Sequence, residues 1–161
     1  MSVRECTRCH ATAQSTGNRC KLRTCVSARL CWRHLMTLEG LRIKKSTIPN
    51  AGLGLYTTKA RANNEKLDNY KIGTVRETKQ DIDRRYGDGL GQYVWCQNAK
   101  NCFDASSTQS NHVRFSNSCD HPGARRKCTG IIRNNGNLRT LRNLRAGEEI
   151  LVAYGDEYYY E

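Results

Sequence analysis

Five cysteines and a histidine near the start of the chain have the residue types and the spacing that bind metal ions. They follow the pattern C-x2-C-x10-C-x4-C-x5-C-x2-H. A two-residue spacer lets a tight turn bring two ligands to one tetrahedral ion, and zinc is the usual structural ion at such sites. The segment has few large apolar residues, so a bound metal would replace the core that it lacks. The candidate ligands are Cys6, Cys9, Cys20, Cys25, Cys31 and His34.

The ligand set stays open between several arrangements. The stretch C-x7-G-x2-C…C-x2-H at residues 9–34 resembles small zinc modules, which favours Cys9, Cys20, Cys31 and His34, with Cys6 or Cys25 as substitutes. A two-zinc cluster that uses all five cysteines and the histidine is a second arrangement, and unligated buried thiols are a third. We interpret the zinc as structural, because a catalytic zinc keeps an open position.

Three further stretches combine short apolar runs with turns of small polar residues. They are N-A-G-L-G-L-Y at residues 50–56, V-R-F-S-N-S-C-D-H-P-G-A at 113–124 and G-E-E-I-L-V-A-Y-G-D-E-Y at 147–158. Short strands that end in such turns present loop residues, and functional sites concentrate in loops of this kind. The glycines of the first stretch let the backbone approach a ligand without a Cβ in the way.

These stretches resemble the motifs of SET-domain protein lysine methyltransferases. R-F-S-N-S-C-D-H-P-G resembles the R-F-x-N-H-S-C-x-P-N signature, G-E-E-I-L-V-A-Y resembles the G-E-E-[IL]-x-x-x-Y ending, and A-G-L-G-L-Y resembles the A-G-x-G-[LI]-[FY] opening. The motifs occur in the family's order, over about residues 41–159. The sequence lacks the later cysteine cluster of longer members, as the short viral SET proteins do. Such a chain could complete its substrate channel from a second copy, so a homodimer is one expectation.

The resemblance implies S-adenosylmethionine as the cofactor and assigns roles to individual residues. Tyr154 matches the catalytic tyrosine, and Tyr70 matches a tyrosine that lines the lysine channel and contacts the amine. The residues expected at the cofactor are Gly52, Leu53, Gly54, Arg114, Phe115, Asn117, Ser118 and Tyr159, and those expected at the substrate channel are Tyr93, Trp95 and Val152. Tyr93 and Trp95 are two positions apart and so share one face of a predicted strand. Packing in the core is the alternative to a channel role for both.

Methyl transfer to a lysine amine, the reaction that the resemblance implies, does not require a strong general base. Methyl transfer from a sulfonium to an amine is an in-line displacement, and the amine must first lose a proton from a group of pKa about 10.4. A dry, apolar channel favours the neutral amine. The protein then supplies alignment and excludes water, and tyrosine hydroxyls can orient the amine without becoming competing nucleophiles near pH 7.

Two functions follow as hypotheses. The first is a lysine methyltransferase that acts on a histone or another lysine-bearing protein. The second is a non-catalytic SET-like module that binds chromatin or nucleic acid. The second takes its support from two departures from the family pattern, because Ser118 stands in place of a histidine and Gly123 in place of a second asparagine.

The elements that must position these residues are mostly strands. The resemblance implies a mostly-β SET-type fold of several short sheets with a threaded C-terminal pseudoknot, at residues 41–161, preceded by a zinc-stapled module at 1–38. Alternation and turn residues predict strands at 41–46, 53–57, 66–75 and 92–96, and a hairpin that turns at 134–136. Only residues 33–37 and 81–85 have a helical pattern, and both stretches are short.

Charge and cysteine content limit the partners and the compartment. The net charge is +12, and residues 1–48 carry ten Lys and Arg against two Glu, which favours an anionic partner such as nucleosomal DNA. The absence of any apolar run of about 18 residues predicts no membrane span, and the N-terminus lacks the apolar region of a secretory signal. We therefore expect an intracellular protein of the nucleus or chromatin (the host nucleus, if viral). In a reducing compartment Cys96, Cys102, Cys119 and Cys128 would be packed thiols.

Overall fold

The computed structural model describes residues 6–25, 29–87, 91, 93–107, 110–120 and 128–153. This part of the chain is mostly short strands with little helix, which confirms the mostly-β prediction. The strands are β1 (Thr7–Arg8), β2 (Arg23–Thr24), β3 (Leu41–Lys45), β4 (Leu53–Thr57), β5 (Lys66–Asn69), β6 (Arg76–Glu77), β7 (Val94–Asn98), β8 (Asn101–Asp104), β9 (Asn117–Ser118), β10 (Gly130–Ile132), β11 (Asn137–Thr140) and β12 (Leu151–Val152).

The helical elements are equally short. They are α1 (Trp32–His34), which continues as a π-helical turn (Leu35–Glu39), α2 (Lys79–Tyr86) and a 3-10 turn (Val113–Phe115). The predicted helical stretch 33–37 is divided between α1 and the π-helical turn, and the stretch 81–85 lies within α2. α2 begins where Thr78 and Asp81 form a reciprocal capping box. No helix in the described ranges is long and apolar enough to span a membrane.

The described strands form five small sheets. β3 pairs with β4, β1 with β2, and β10–β11–β5 and β6–β8–β7 form three-stranded sheets, all with antiparallel neighbours. Only β9 and β12 pair in parallel among these strands. The predicted strands at 41–46 and 53–57 and the hairpin turn at 134–136 are therefore confirmed as β3, β4 and the β10–β11 connection.

The predicted strand at 66–75 is shorter in the structure, and Tyr70 lies in a turn rather than in the strand. β5 ends at Asn69, whose side-chain oxygen accepts a hydrogen bond from the backbone N–H of Lys71 at 2.8 Å. The Ile72 N–H then bonds to the Asn69 carbonyl, and Gly73 has φ 70°. An asparagine side chain that bonds the backbone two residues later favours a turn over continued pairing.

One core joins most of the sheets. Its buried members are Leu35, Leu41, Leu55, Leu67, Tyr70, Phe103, Ala105, Val113, Phe115, Leu138, Leu144, Ile150 and Val152. A second, much smaller cluster contains only Cys9, Ala11 and Cys31, with Cys20 and Leu30 at its edge. Leu30 packs against both clusters and Leu35 lies in the larger one, so the N-terminal segment is attached to the main core by apolar contacts.

The four distal cysteines form two disulfides, so the prediction of reduced, packed thiols is wrong. Cys96 and Cys102 lie directly opposite each other in the antiparallel β7–β8 pair and are bonded. Cys119 and Cys128 are bonded because the segments that carry them both lie against β12. The Cys119 N–H donates to the Val152 carbonyl, and the Thr129 N–H donates to the Leu151 carbonyl. Linear spacing does not show either juxtaposition.

Candidate cofactor site and metal-binding cluster

The parallel pairing of β9 and β12 brings the second and third sequence motifs together. Asn117 is in register with Leu151, and Ser118 with Val152. Immediately after β9, the backbone N–H of Cys119 donates to the Val152 carbonyl at 3.0 Å. The stretch at 113–120 therefore lies beside the strand that leads to residue 153.

The first motif joins them from the other side of the C-terminal segment. The Ile150 N–H donates to the Leu55 carbonyl of β4 at 2.7 Å, and Tyr56 forms a bridge with Glu149. The side-chain amide of Asn117 donates to the Leu53 carbonyl at 3.0 Å. Residues separated by 64 positions are thus in direct contact, and the three motifs converge on one place.

Glycines shape the loop before β4 for two different reasons. Gly52 has φ 72°, a conformation that favours glycine, and a Cβ there would meet open space. Gly54 has an ordinary φ, but a Cβ there would collide with Oε1 of Glu149. The loop therefore has a bare, open backbone at residue 52 and a tight contact behind residue 54.

Three of the residues predicted at the cofactor are used in packing. Arg114 donates to the carbonyls of Ala105, Ser106 and Ser107 at 2.8, 3.0 and 3.0 Å. Phe115 is in the main core, and the buried Ser118 hydroxyl accepts from the Asp120 N–H at 3.0 Å. The side chains of Arg114 and Phe115 thus hold neighbouring backbone and core, and contact of either residue with a cofactor stays a prediction.

The predicted channel residues form an aromatic cluster beside β7 and β8. The Tyr70 and Trp95 ring centroids are 5.8 Å apart, and Trp95 stacks on Phe103 at 5.6 Å. The hydroxyl of Tyr70 donates to the Tyr93 carbonyl. Tyr93 and Trp95 are partly buried and pack against the main core. Core packing, the alternative to a channel role, therefore accounts for part of each side chain, and the rest is exposed.

Val152, the third residue predicted at the channel, is buried, and its contact with a substrate stays a prediction. Its exposed fraction is 0%, and it is a member of the main core because β12 pairs with β9 and turns this side chain inward. Tyr154 and Tyr159, assigned to catalysis and to the cofactor, and the departure at Gly123 lie outside the described residues.

A second candidate site lies in the N-terminal segment. The ligand atoms of Cys9, Cys20, Cys31 and His34 all lie within 4.8 Å of one another. The His34 Nδ1 atom is 3.3 Å from the Cys31 sulfur and 3.6 Å from the Cys9 sulfur. Tetrahedral zinc with ordinary Zn–S and Zn–N bond lengths separates such atoms by about 3.6 Å. These four residues therefore could hold a metal ion, in the arrangement that the zinc-module resemblance favours.

Local hydrogen bonds adjust the acidity of the two buried thiols. Burial raises the pKa of the Cys9 thiol, but hydrogen bonds from the backbone N–H groups of Cys31 and Ala11 outweigh it, and the net pKa is lowered. Burial raises the pKa of the Cys31 thiol. The Cys31 N–H lies 3.2 Å from the Cys9 sulfur, so a thiolate at Cys9, the form that binds metal, has a donor in place.

Arginines surround this cluster, and the sequence analysis did not identify them. Arg8 donates through Nε to the Cys20 carbonyl at 2.7 Å, and Arg19 donates through Nε to the Cys9 carbonyl at 2.8 Å. Both guanidinium groups thus hold the backbone of a candidate ligand. Such outer contacts orient metal ligands.

Cys6 and Cys25 do not belong to the four-residue cluster, which corrects their prediction as ligands and the two-zinc arrangement. The antiparallel pairing of Thr7 with Thr24 places Cys6 opposite Cys25, and the two form a disulfide. The short β1–β2 ladder thus decides which cysteines remain free for a metal.

A family model described as SET domain matches residues 52–155, nearly two thirds of the chain. The match begins at residue 52, within the first motif, covers the whole second motif and ends at residue 155, within the third. A search of curated proteins found no match.

Proposed function

The chain belongs to the SET-domain family, a family of lysine methyltransferases, and we propose that it transfers methyl groups from S-adenosylmethionine to the side-chain amine of a protein lysine, with histones as the substrate. The observation that carries this proposal is the convergence of the three motifs. The Asn117 amide holds the Leu53 carbonyl of the glycine loop, and β9 pairs with the strand that leads toward Tyr154.

The residues of this chain divide the work of the proposed reaction. The open backbone at Gly52 and the Asn117 segment would hold the cofactor, which supplies an electrophilic methyl group when bound. Tyr154 would orient the neutral amine in line with that methyl group. The aromatic cluster of Tyr70, Trp95 and Phe103 supports this by offering an apolar wall that excludes water and favours the deprotonated amine.

The test combines binding with product analysis. We expect S-adenosylmethionine to give a calorimetric binding signal and a thermal shift. A labelled-cofactor assay on nucleosomes and free histones, followed by mass spectrometry, should then locate a methylated lysine. No heat and no thermal shift at millimolar cofactor would reject the enzyme. Binding with methylation of a non-histone protein alone would reject only the histone substrate.

We further propose that Cys9, Cys20, Cys31 and His34 hold a structural zinc ion. The four ligand atoms lie within 4.8 Å, and the cluster around them contains too little apolar surface to fold without a staple. Elemental analysis of the purified protein should give about one zinc per chain, and Cys31→Ala should remove it. Protein purified without any bound zinc would contradict the assignment.

The surface of the N-terminal segment favours a second activity, contact with nucleic acid. The described residues between 6 and 38 include no Asp or Glu, while Arg8, Arg19, Lys21, Arg23 and Arg33 are exposed. Trp32 is 65% exposed, with the Arg33 guanidinium 5.8 Å from its ring centroid. Cations that contact phosphates beside an aromatic ring that can stack on bases are typical of nucleic-acid surfaces.

This contact would recruit the enzyme to chromatin, or act alone in a non-catalytic protein. Fluorescence anisotropy with labelled DNA should show salt-dependent binding, and Arg33→Ala should weaken the binding and lower its salt dependence. Arg133→Ala, an exposed arginine beside the β10–β11 turn, is the matched control. DNA binding without any cofactor binding would favour the non-catalytic module, and equal loss in both variants would reject a specific surface.

A further inference from the structure

A buried carboxylate with neutral partners lies between the third motif and the loop that leads into β4. Glu149 is 4% exposed, and it forms no ion pair with any cationic side chain in the described ranges. Its carboxylate accepts hydrogen bonds from the hydroxyl of Ser46, from the backbone N–H of Thr47 at 3.0 Å and from the Thr47 hydroxyl. The Tyr56 hydroxyl lies 3.4 Å away. Burying a charge is costly unless several donors satisfy it, and here the donors come from one loop.

That loop is the one that ends in the open glycine backbone. The Ser46 N–H donates to the Gly52 carbonyl at 2.8 Å, and the Ser46 hydroxyl also accepts from the Ile48 N–H at 3.1 Å. Residues 46–52 thus form a closed loop, and Glu149 binds its base. The same carboxylate lies against Gly54, where a Cβ would collide with it.

The carboxylate reaches this loop from the C-terminal segment, 102 residues away in sequence. Asn117 holds the same loop from the opposite end, through the Leu53 carbonyl. The backbone of residues 52–54 is therefore held in place by two side chains, Asn117 of the second motif and Glu149 of the third. Moving either anchor would shift the groups that face the proposed cofactor.

We propose that Glu149 is a positioning residue that clamps the loop 46–52 and so sets the cofactor-binding backbone of Gly52 and, at the start of β4, Leu53. The inference rests on the proposed function, since it concerns affinity for S-adenosylmethionine. A carboxylate suits this position because it accepts on both oxygens, from the Ser46 hydroxyl on one and from the Thr47 N–H and hydroxyl on the other. A glutamine has only one accepting oxygen. Its N–H₂ group would face either the Thr47 N–H, which can only donate, or the Ser46 hydroxyl, which would have to stop donating and already accepts from the Ile48 N–H.

The experiment measures cofactor binding and steady-state kinetics of Glu149→Gln. We expect Kd and KM for S-adenosylmethionine to rise at least about tenfold, the loss typical of hydrogen bonds to a charged group. At saturating cofactor, kcat and the KM for the lysine substrate should stay within about twofold of wild type. Amide hydrogen exchange should show faster exchange at Thr47 and Ser46, while the β10–β11 hairpin keeps its protection.

Matched variants separate the clamp from general damage. Glu148→Gln changes the neighbouring acid, whose carboxylate pairs with Arg142 at 2.7 Å near the surface, and it should bind the cofactor like wild type. Thr47→Val should reproduce the loss of affinity, and Thr47→Ser should restore it. The double variant Glu149→Gln/Thr47→Val should be little worse than either single variant, because the residues share one network.

Several results would reject the role of Glu149 as a clamp. Unchanged cofactor affinity in Glu149→Gln overturns the clamp, and so does full additivity of the two substitutions. An equal loss for cofactor and lysine substrate, with faster exchange throughout the chain, also overturns it by showing general unfolding. If wild type itself binds no cofactor, the proposed function fails, whereas a failure confined to the variants leaves that function standing.

Discussion

Asp68 and His112 form a buried pair next to the turn that carries Tyr70. The His112 Nδ1 atom is 3.2 Å from the Asp68 carboxylate, which also accepts from the His112 N–H at 3.0 Å. The neighbouring Asn111 amide donates to the Tyr70 and Ile72 carbonyls. The position of Tyr70 thus depends on polar side chains that immediately precede the Val113–Phe115 turn.

This pair predicts a pH dependence of stability. Burial raises the pKa of Asp68, but the hydrogen bond and charge of His112 outweigh it, and the pKa is lowered in the folded protein. The contribution of Asp68 is therefore complete above its unfolded pKa of about 3.9 and is lost as pH falls through the lower folded value. Asp68→Asn should lose about 1–3 kcal/mol of unfolding free energy at pH 7.

Urea unfolding measures the free energy of unfolding of wild type and Asp68→Asn from about pH 2 to about pH 7, a range that includes the titration of Asp. The difference between the two proteins should shrink as the pH falls below about 4. Asp81→Asn is a suitable comparison, since Asp81 is an exposed helix-capping carboxylate whose pKa is lowered by its bonds to Thr78. A difference between wild type and Asp68→Asn that stays constant with pH would show that the ionised form of Asp68 is not responsible.

Tyr154 carries a kinetic prediction. The phenylalanine variant keeps the ring and removes the hydroxyl that would orient the amine, so Tyr154→Phe should abolish methyl transfer to a lysine peptide. Cofactor affinity should remain nearly unchanged. Tyr86→Phe removes a hydroxyl that bonds Asp104 at the end of α2, and it should keep the wild-type rate. An unchanged rate in Tyr154→Phe would remove this residue from the catalytic role.

At the scale of elements, the loop between β3 and β4 connects local conformation to binding. Gly52 and Gly17 have φ values of 72° and 68°, and a Cβ at either would meet nothing within 4 Å. Alanine at either position should therefore cost about 1–2 kcal/mol of stability through backbone strain alone. Gly52→Ala should also weaken S-adenosylmethionine binding, because its backbone faces the proposed cofactor.

Thermal unfolding and calorimetry of the two alanine variants measure both effects. Gly17→Ala is the matched control for strain, since it lies in the turn between residues 13 and 18 of the N-terminal segment. Similar loss of stability with loss of affinity only in Gly52→Ala is the expected pattern. Equal cofactor affinity in the two variants would separate the glycine loop from the cofactor site.

Within the whole molecule, the N-terminal segment is attached to the main core at one end, and the proposed zinc would supply the rest of its stability. Among the described residues its own buried cluster has three members, whereas Leu35 packs in the main core and Arg61 donates to the carbonyls of Glu39 and Gly40. Loss of zinc should therefore unfold residues 6–31 and leave the sheets that follow folded. Arg61 and Leu35 anchor only the end of the segment.

A chelator experiment examines this division. Removing zinc should lower the hydrogen-exchange protection of the backbone amides around Cys9 and Cys20, and the β3–β4 amides should change little. DNA binding should weaken, while cofactor binding persists. Simultaneous loss of protection in both regions would show that the metal stabilises the whole molecule as one cooperative unit.

Features that depend on near neighbours in sequence were predictable. Alternation at 41–46 and 53–57 indicated β3 and β4, the Asn-Asn-Gly turn indicated the β10–β11 hairpin, and the ordered motifs indicated the family. The grouping of Cys9, Cys20, Cys31 and His34 followed from the C-x2-H turn and the zinc-module resemblance. Each of these signals arises from the conformations of a few consecutive residues, which the side chains restrict directly.

Contacts between distant segments were decided only in three dimensions. The sequence shows Glu149 as one of two adjacent acids before an apolar run, and only packing places it on Thr47, 102 residues away. Strand register likewise pairs Cys6 with Cys25, which were candidate metal ligands, and Cys96 with Cys102, which were expected to be reduced thiols. Side-chain type sets which bonds a residue can form, but the partner depends on which strands meet, and that is a property of the whole core.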